Sequence, residues 1–163
     1  MVSFSLLVHF EYSQQKKVET IETYSYPGHL IRRLHQISTH AFMSRVKEAG
    51  FDLTPIQLAA MQALKVNPGI EQAKIATLIA YDRATIGGVV ERLEKKGYVT
   101  RAVSKLDRRA REVSLSPKGS HAVERLTLTV RALQDEILAH LSVEERKLFI
   151  SMAQKASGVD ATD

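Results

Sequence analysis

One apolar stripe, together with the alternating residues that follow it, constrains the fold of this chain more than any other feature. The stripe has the helical spacing i, i+3, i+4 and i+7, at Ile86, Val89, Val90 and Leu93. Such a stripe must pack inward and leaves the opposite face for solvent or a partner. Asp82 precedes it as an N-cap, and Gly97 follows it as a C-terminal stop. The spacing predicts a helix over residues 83–96.

After this helix the pattern changes from a helical period to alternation. Residues 98–103 and 110–115 form two alternating runs joined by a short charged link. The alternation predicts two paired strands. Because the link, residues 104–109, has no Asn-Gly turn, we expect a longer loop that projects basic groups beyond the strands. Ser116 and Pro117 then open another helix, as its cap and first helical residue.

Three helices are predicted before the stripe. The first spans residues 28–49, ends at Gly50 and has one face formed by Leu30, Leu34, Ile37, Ala41 and Arg45. The second starts at a capping box, Thr and Gln in residues 54–57, and runs to about residue 66. The third covers residues 71–79 and is expected to bury Ile75, Leu78 and Ile79. With the stripe helix, the third helix forms a helix-turn-helix.

Two helices are predicted after the hairpin. The first carries apolar residues at 3,4,3,4 spacing, a heptad seam of Val123, Leu126, Val130, Leu133 and Ile137. A stripe this regular either packs within the domain or pairs with a second chain. The last helix begins at a capping box in residues 142–145 and carries Val143, Leu148, Phe149 and Met152.

The combination of these motifs resembles the MarR family of bacterial transcriptional regulators. The resemblance covers roughly residues 30–156 and rests on Asp82 and on residues 53–57, 92–97, 107–110 and 115–119. It implies a mainly α fold with a small β-hairpin wing, a winged helix-turn-helix in a helical dimer. Within that family the sequence more closely resembles repressors of nicotinate catabolism.

The resemblance also implies how the chain is organised. Residues 1–25 fall outside the pattern and form an N-terminal arm or a disordered segment. Residues 26–160 form a single domain, with the winged helix-turn-helix at 54–115 and dimerisation helices at 26–50 and 116–157. A chain of 163 residues with a hydrophobic fraction of 44% can bury one core and is short for two domains.

Basic side chains concentrate on the stripe helix and the hairpin. The net charge is +5, yet residues 83–111 hold nine Lys or Arg against three acids, which leaves the rest of the chain near −1. Such clustering suits a polyanion, since neutralised phosphates release counterions, although a solvated charged face is the alternative. The leading hypothesis is a sequence-specific DNA-binding regulator. The alternative is a winged-helix module that binds protein, which should expose aromatic or aliphatic side chains there.

The geometry of a helix in the major groove assigns the DNA-binding candidates. The N-terminus enters first, so Arg83 and Thr85 can reach base edges. Arg92, Lys95 and Lys105 would then hold phosphates.

The wing tip carries three further candidates. In the resembled family a wing-tip arginine enters the minor groove and an aspartate two residues earlier orients it, which by motif implies Arg109 and Asp107. Arg108 is the other candidate for the minor-groove contact. Alternatively, Asp107 and Arg109 form only a surface ion pair with no role in DNA binding.

Gly87 and Gly88 lie where the resembled family usually places polar, base-reading residues. Each glycine costs a helix roughly 1 kcal/mol relative to alanine. Close approach of the helix backbone to DNA would offset that cost, and a local bend is the equal alternative.

The resemblance further implies partners: a two-fold homodimer, a pseudo-palindromic DNA operator, and a small aromatic carboxylate that releases a repressor. The ligand would lie between the dimer region and the reading lobes. Four basic residues of the first helix could counter its carboxylate: His29, Arg32, Arg33 and His40. Long basic residues on a helix are more often solvated. His29 and His40 share a face but lie about 16 Å apart along the helix, so no metal site is predicted.

Several classes of function lack their sequence signatures. The chain has no cysteine, which excludes disulfides and a thiol redox sensor. It has neither a nucleophile elbow nor a phosphate-binding loop motif, so we expect no enzyme and no cofactor. The apolar residues 3–10 are too few for a membrane span and follow no basic residue, and we expect a cytoplasmic protein.

Overall fold

Six α-helices and a three-stranded sheet make up residues 21–104 and 110–158, the part of the chain that this computed structural model describes. The helices are α1 (Pro27–Glu48), α2 (Pro55–Val66), α3 (Gln72–Leu78), α4 (Arg83–Lys95), α5 (Pro117–Ile137) and α6 (Val143–Ser157). The strands are β1 (Ile70–Glu71), β2 (Val99–Val103) and β3 (Arg111–Leu115), and a 3-10 helix covers Glu22–Ser25. The mainly α fold with a small hairpin is confirmed.

The chain divides into two units, residues 1–34 and 35–163, and α1 contributes to both. The predicted boundaries near residues 25 and 160 stay a prediction, as does the state of residues 1–20, which lie outside the described residues. Across the described part of the chain, no helix has both the length and the apolarity that a membrane span requires.

The stripe helix is confirmed as α4, and its signals act as expected. Asp82 is the N-cap and accepts a hydrogen bond from the Ala84 amide at 2.9 Å. The four apolar stripe residues of α4 are buried. Gly97 follows with a φ of +76°, a left-handed conformation that glycine adopts at no steric cost. A period of 3.6 with a cap at each end therefore suffices to place this helix.

Both predicted capping boxes are confirmed. The Thr54 hydroxyl accepts from the Gln57 amide while the Gln57 side chain accepts from the Thr54 amide, and Ser142 pairs with Glu145 in the same reciprocal way. The Ser116 hydroxyl accepts from the Gly119 amide at 3.0 Å, which caps α5. These side chains satisfy backbone donors that a helix N-terminus otherwise leaves unpaired.

The hairpin is confirmed and belongs to a larger sheet. β3 lies between β1 and β2, and both pairings are antiparallel, with Val99 opposite Leu115 and Ile70 opposite Val113. The two-residue β1 was not predicted, because two residues carry no alternation to detect. It occupies Glu71, which was expected to be helical, so α3 starts one residue later and has no side-chain cap.

The expected burial on α3 is partly wrong. Ile75 is buried as predicted, and Ile79 is partly buried against the core. Leu78 is 56% exposed, and the small Ala76 is buried in its place. α3 makes only about two turns, so one residue of rotation changes which side chains face inward.

The heptad seam of α5 packs within its own chain. Val123, Leu126 and Leu133 are buried in the core, while Val130 and Ile137 are partly buried against it. This settles the two alternatives for the stripe in favour of intrachain packing. An acidic substitution at Leu126 or Leu133 would therefore disrupt the core.

α1 and α6 each keep several apolar side chains in solvent. On α1 the buried residues are Phe42 and Val46, so the core-facing side differs from the predicted face, where Leu30 and Ile37 are exposed. No residue of α6 is buried. Its exposed apolar residues are Val143, Leu148, Ile150 and Met152. The described residues of one chain therefore leave these surfaces uncovered.

Candidate nucleic-acid interface

The N-terminal turn of α4 carries the two residues predicted to read bases. Arg83 and Thr85 are both exposed. The Thr85 hydroxyl donates to the Asp82 carboxylate at 2.8 Å. The pKa of Asp82 lies below its ordinary value because the Ala84 amide and then the Thr85 hydroxyl donate to it. Thr85 therefore has its methyl group and an oxygen lone pair to offer, and among the described residues no acceptor binds the donors of Arg83.

The middle of α4 has little side-chain bulk on its outer side. Gly87 and Gly88 are half-buried, and the helix is continuous through both. A Cβ on Gly87 would lie 3.4 Å from the Gln72 Nε2, and one on Gly88 would lie 3.4 Å from the Arg92 Nη1. Both neighbours are the ends of flexible side chains. Neither backbone conformation nor packing within the described residues therefore requires a glycine at these positions.

The C-terminal half of α4 is a network of paired charges. Lys95 Nζ lies 2.7 Å from Glu91 Oε1, and Arg101 of β2 binds the Glu94 carboxylate, its Nε at 2.8 Å. The pKa of Glu91 is lowered, mostly by Lys95, and that of Glu94 is lowered, mostly by Arg101. Lys95, predicted to hold a phosphate, already has an acidic partner. Arg92 is exposed beside this network.

Side chains from distant segments hold the C-terminal end of α4. Lys96 Nζ donates to the Asp52 backbone oxygen at 2.7 Å and lies 2.8 Å from its carboxylate. Lys118 Nζ donates to the Lys96 carbonyl at 2.7 Å and lies 4.7 Å from the centre of the Tyr98 ring. Sequence reasoning missed these contacts, since no local spacing relates residues 22 or 44 positions apart.

The start of α5 approaches the strand that follows α4 very closely. The Ser116 amide donates to the Tyr98 carbonyl at 3.0 Å, and the Ser116 hydroxyl donates to the Gly97 carbonyl at 2.6 Å. A Cβ on Gly119 would lie 2.0 Å from that Tyr98 oxygen. No side chain fits there, so Gly119 is required for α5 to lie against the hairpin.

The wing-tip candidates Lys105, Asp107, Arg108 and Arg109 lie outside the described residues. The structure does describe the base of the hairpin that carries them. Val103 lies opposite Arg111, and the Ser104 amide donates to the Ala110 carbonyl at 3.1 Å. The strands thus stay paired up to the two ends of the tip.

The ligand candidates divide between the two units. In the first unit, two candidates lie beside the Tyr24 ring. The centre of the His29 ring is 5.2 Å from the centre of that ring, and the Arg33 guanidinium carbon is 5.8 Å from it. Arg32 also belongs to this unit, and it is exposed. In the second unit, His40 lines an open groove of about 420 Å³ whose other lining residues are Met43, Ser44, Lys47, Phe51, Asp52 and Leu53. Within the described residues, no cluster of three His, Asp or Glu side chains is arranged to hold a metal ion.

Comparison with known proteins places this chain among transcriptional regulators. Residues 51–110 match the model of the MarR family. The chain is 31% identical to the transcriptional regulator HosA of Escherichia coli O157:H7 over 127 residues, 78% of this chain and 91% of HosA.

Two solved structures have the same fold as this chain, and in each of them more than a quarter of the aligned residues are identical to those of this chain. BpsR of Bordetella bronchiseptica, whose DNA binding is regulated by 6-hydroxynicotinic acid, superposes with a TM-score of 0.75 at 26% identity, covering 83% of this chain and 96% of BpsR. The transcriptional repressor CouR bound to a 23-mer DNA duplex also has a TM-score of 0.75 at 26% identity, covering 85% of this chain and 97% of CouR. The resemblance in the sequence is confirmed: the chain belongs to the MarR family, and it is a transcriptional regulator with a DNA-binding winged helix.

Proposed function

We propose that this protein is a repressor that binds a pseudo-palindromic DNA operator as a homodimer and is released by a small aromatic carboxylate. The observation that carries the proposal is the outer side of α4, which combines an exposed Arg83 at its N-terminus with small residues at Ala84, Gly87 and Gly88. Such a surface suits a helix that enters the major groove. Support for repression comes from CouR, a repressor bound to DNA. A regulator of this kind works in the cytoplasm, where bacterial DNA lies, and needs no catalysis.

In this mechanism Arg83 donates to the guanine acceptors O6 and N7. Since the Thr85 hydroxyl already donates to Asp82, Thr85 contributes its methyl group to a thymine methyl or its lone pair to a base amino group. Gly87 and Gly88 let the helix backbone approach the DNA closely. The competing role, a protein-binding module, is disfavoured because every large apolar side chain of α4 is buried.

Contacts to the DNA backbone complete the proposed interface. Arg92 and Lys105 hold phosphates, and Lys95 does so only when it leaves Glu91. Arg109, oriented by Asp107, enters the minor groove, with Arg108 as its rival. These contacts position the protein without reading the sequence, whereas the base contacts specify it.

A second copy of the chain covers the exposed apolar side chains of α6 in the proposed dimer. Uncovered apolar area of this kind marks an interaction surface. Two reading helices then face two half-sites about one helical turn apart on the operator.

The proposed effector is a small aromatic carboxylate, by analogy with BpsR and its 6-hydroxynicotinic acid. The groove beside His40 has the volume of a small-molecule site, and it combines apolar walls with the cation of Lys47. His29, Arg32 and Arg33 stay candidates for the carboxylate. The ligand must bind the DNA-incompetent state more tightly, and a tenfold release requires about 1.4 kcal/mol of coupling.

The DNA-binding part is tested with duplexes selected by the wild-type protein from a random library. Arg83→Ala should weaken binding to the selected duplex by about 1–3 kcal/mol, since one bidentate base contact is lost. Arg131→Ala, which removes an exposed arginine from α5, serves as the control and should bind like wild type. Failure of the wild type to enrich any sequence, or equal affinity of Arg83→Ala, would contradict the proposal.

The effector part is tested by titrating preformed complexes with a panel of aromatic carboxylates. Replacing His40 with alanine should raise the acid concentration needed for release and leave ligand-free DNA affinity unchanged, and Arg33→Ala is measured separately as the candidate of the first unit. A release curve that coincides with wild type would remove the replaced residue from the ligand candidates. If no acid in the panel releases the DNA, aromatic carboxylates are not the ligand class.

A further inference from the structure

An acidic side chain lies on the face of α4 that the proposed function turns toward DNA. Ala84, Gly88, Glu91 and Lys95 follow one another at i, i+4, i+7 and i+11, so they share one side of the helix. Glu91 is exposed, and it is the first long side chain after the small residues. Phosphates repel a carboxylate, so its presence on this face calls for an explanation.

Neighbouring cations stabilise the charged form of the Glu91 carboxylate. Lys95 Nζ lies 2.7 Å from it, one helical turn further along. Its pKa is lowered first by this contact and further by the positive charges of Arg101 and Arg92. At neutral pH the pair of Glu91 and Lys95 has no net charge.

Glu94, the other acid of α4, has a different position and partner. Its carboxylate binds Arg101 of β2 and so joins the helix to the hairpin. Both members of that pair are only about one third exposed, 36% for Glu94 and 32% for Arg101, against 51% for Glu91. Glu94 thus has a structural partner, while Glu91 remains available at the outer face.

We propose that Glu91 is a specificity-determining residue for DNA, on the condition that α4 binds the major groove as proposed above. In the operator complex its carboxylate accepts a hydrogen bond from a base amino group, for which cytosine N4 is the preferred donor to Glu. On any other sequence the carboxylate meets no donor and withholds Lys95 from the phosphates. Glu91 therefore lowers affinity for non-operator DNA more than for the operator.

The size of the effect follows from counterion release. In Glu91→Gln, Lys95 is free to neutralise one more phosphate, which steepens the dependence of log K on log salt by about 0.9 per protomer. At a salt concentration near 0.15 M this corresponds to about fivefold tighter binding of non-operator DNA per protomer. Operator affinity gains less, because the charged acceptor for the base amino group is lost.

The experiment measures affinity for a wild-type-selected duplex and for a scrambled duplex across a salt series. Glu91→Gln should lower the ratio of the operator affinity to the non-operator affinity by up to about fivefold per protomer. Its own selected sequences should lose one cytosine per half-site. The double variant Glu91→Gln with Lys95→Gln should restore the wild-type salt slope on scrambled DNA, because removing both charges leaves the site neutral.

Glu48→Gln provides the matched control, since Glu48 forms a similar exposed helical pair with Arg45 on α1, at 3.1 Å. It should leave the ratio and the slope unchanged. An unchanged ratio in Glu91→Gln, with wild type still preferring its selected duplex, would overturn this inference and leave the proposed function standing. A wild type that prefers no duplex would overturn both.

Discussion

α4 and α6 have similar lengths and both begin at a side-chain cap, yet only α4 is buried by its own chain. α4 places four apolar residues in the core. α6 has the more complete cap, a reciprocal box, and buries no residue. Capping therefore determines where a helix begins, and the apolar face of the helix determines which surface must pack against other residues. Within the described residues the apolar face of α4 is covered and that of α6 is not, and we propose that a second copy of the chain covers α6.

The largest expected effect comes from breaking the buried region. Leu126 of α5 is 0% exposed, so Leu126→Ala leaves a cavity and should lower the free energy of unfolding by about 2–5 kcal/mol. Leu128, two residues away and 72% exposed, is the control, and Leu128→Ala should change stability by less than about 0.5 kcal/mol. Urea unfolding measures both. Equal losses for the two variants would refute the burial assigned here.

The second expected effect acts on the uncovered region. Leu148 and Met152 of α6 are 61% and 62% exposed. Leu148→Glu with Met152→Glu would bury charges in the proposed interface, and we expect the dissociation constant of the dimer to rise more than tenfold. Sedimentation measures the change, and circular dichroism should show a folded monomer. A monomeric wild type would contradict the proposed dimer.

A smaller effect separates stability from DNA binding on α4 itself. Gly88→Ala should raise the free energy of unfolding by about 0.5–1 kcal/mol, because alanine favours a helix and its Cβ meets only the flexible end of Arg92. The same variant should weaken DNA binding if the backbone approaches DNA closely. Gly119→Ala should instead lower the free energy of unfolding, since its Cβ would overlap the Tyr98 carbonyl. Thermal unfolding together with a DNA titration tests both claims.

The smallest effect concerns the pH dependence of the α6 cap. The Glu145 carboxylate accepts from the Ser142 amide at 2.8 Å, which lowers the pKa of Glu145 below 4.5. Its stabilising contribution is complete above pH 4.5 and is lost as pH falls through the lowered pKa. Glu145→Gln keeps a capping acceptor without titrating, so wild type should lose more stability than this variant below pH 4.5. Parallel acid titrations followed by circular dichroism would reveal identical losses if the cap had no such role.

Local signals in the sequence predicted most of the helices. The spacing of four apolar residues with Asp82 and Gly97 placed α4, and two capping boxes placed the starts of α2 and α6. These features depend on residues within one or two helical turns. The exposed Arg83 at the start of α4 follows from the same information.

Features that depend on distant residues were not predictable. The contact of Lys96 with Asp52 joins segments 44 residues apart, and the requirement for Gly119 arises only when α5 meets Tyr98. The heptad seam left two outcomes open because a regular stripe does not identify its partner. The pairing of Lys95 with Glu91 follows from their i,i+4 spacing, and it competes with the phosphate binding predicted for Lys95.

The attachment of α4 at one end has a mechanical consequence. Lys96 and Gly97, which follow the helix, are tied to Asp52, Lys118 and Ser116, whereas Arg83 at the other end is exposed. Thirteen residues at a rise of 1.5 Å make α4 roughly 20 Å long. Pivoting it by about ten degrees around its tied end would therefore displace Arg83 by roughly 3 Å, the full length of a hydrogen bond. A rotation of about ten degrees at the tied end would thus break the hydrogen bond that we propose between Arg83 and a base edge.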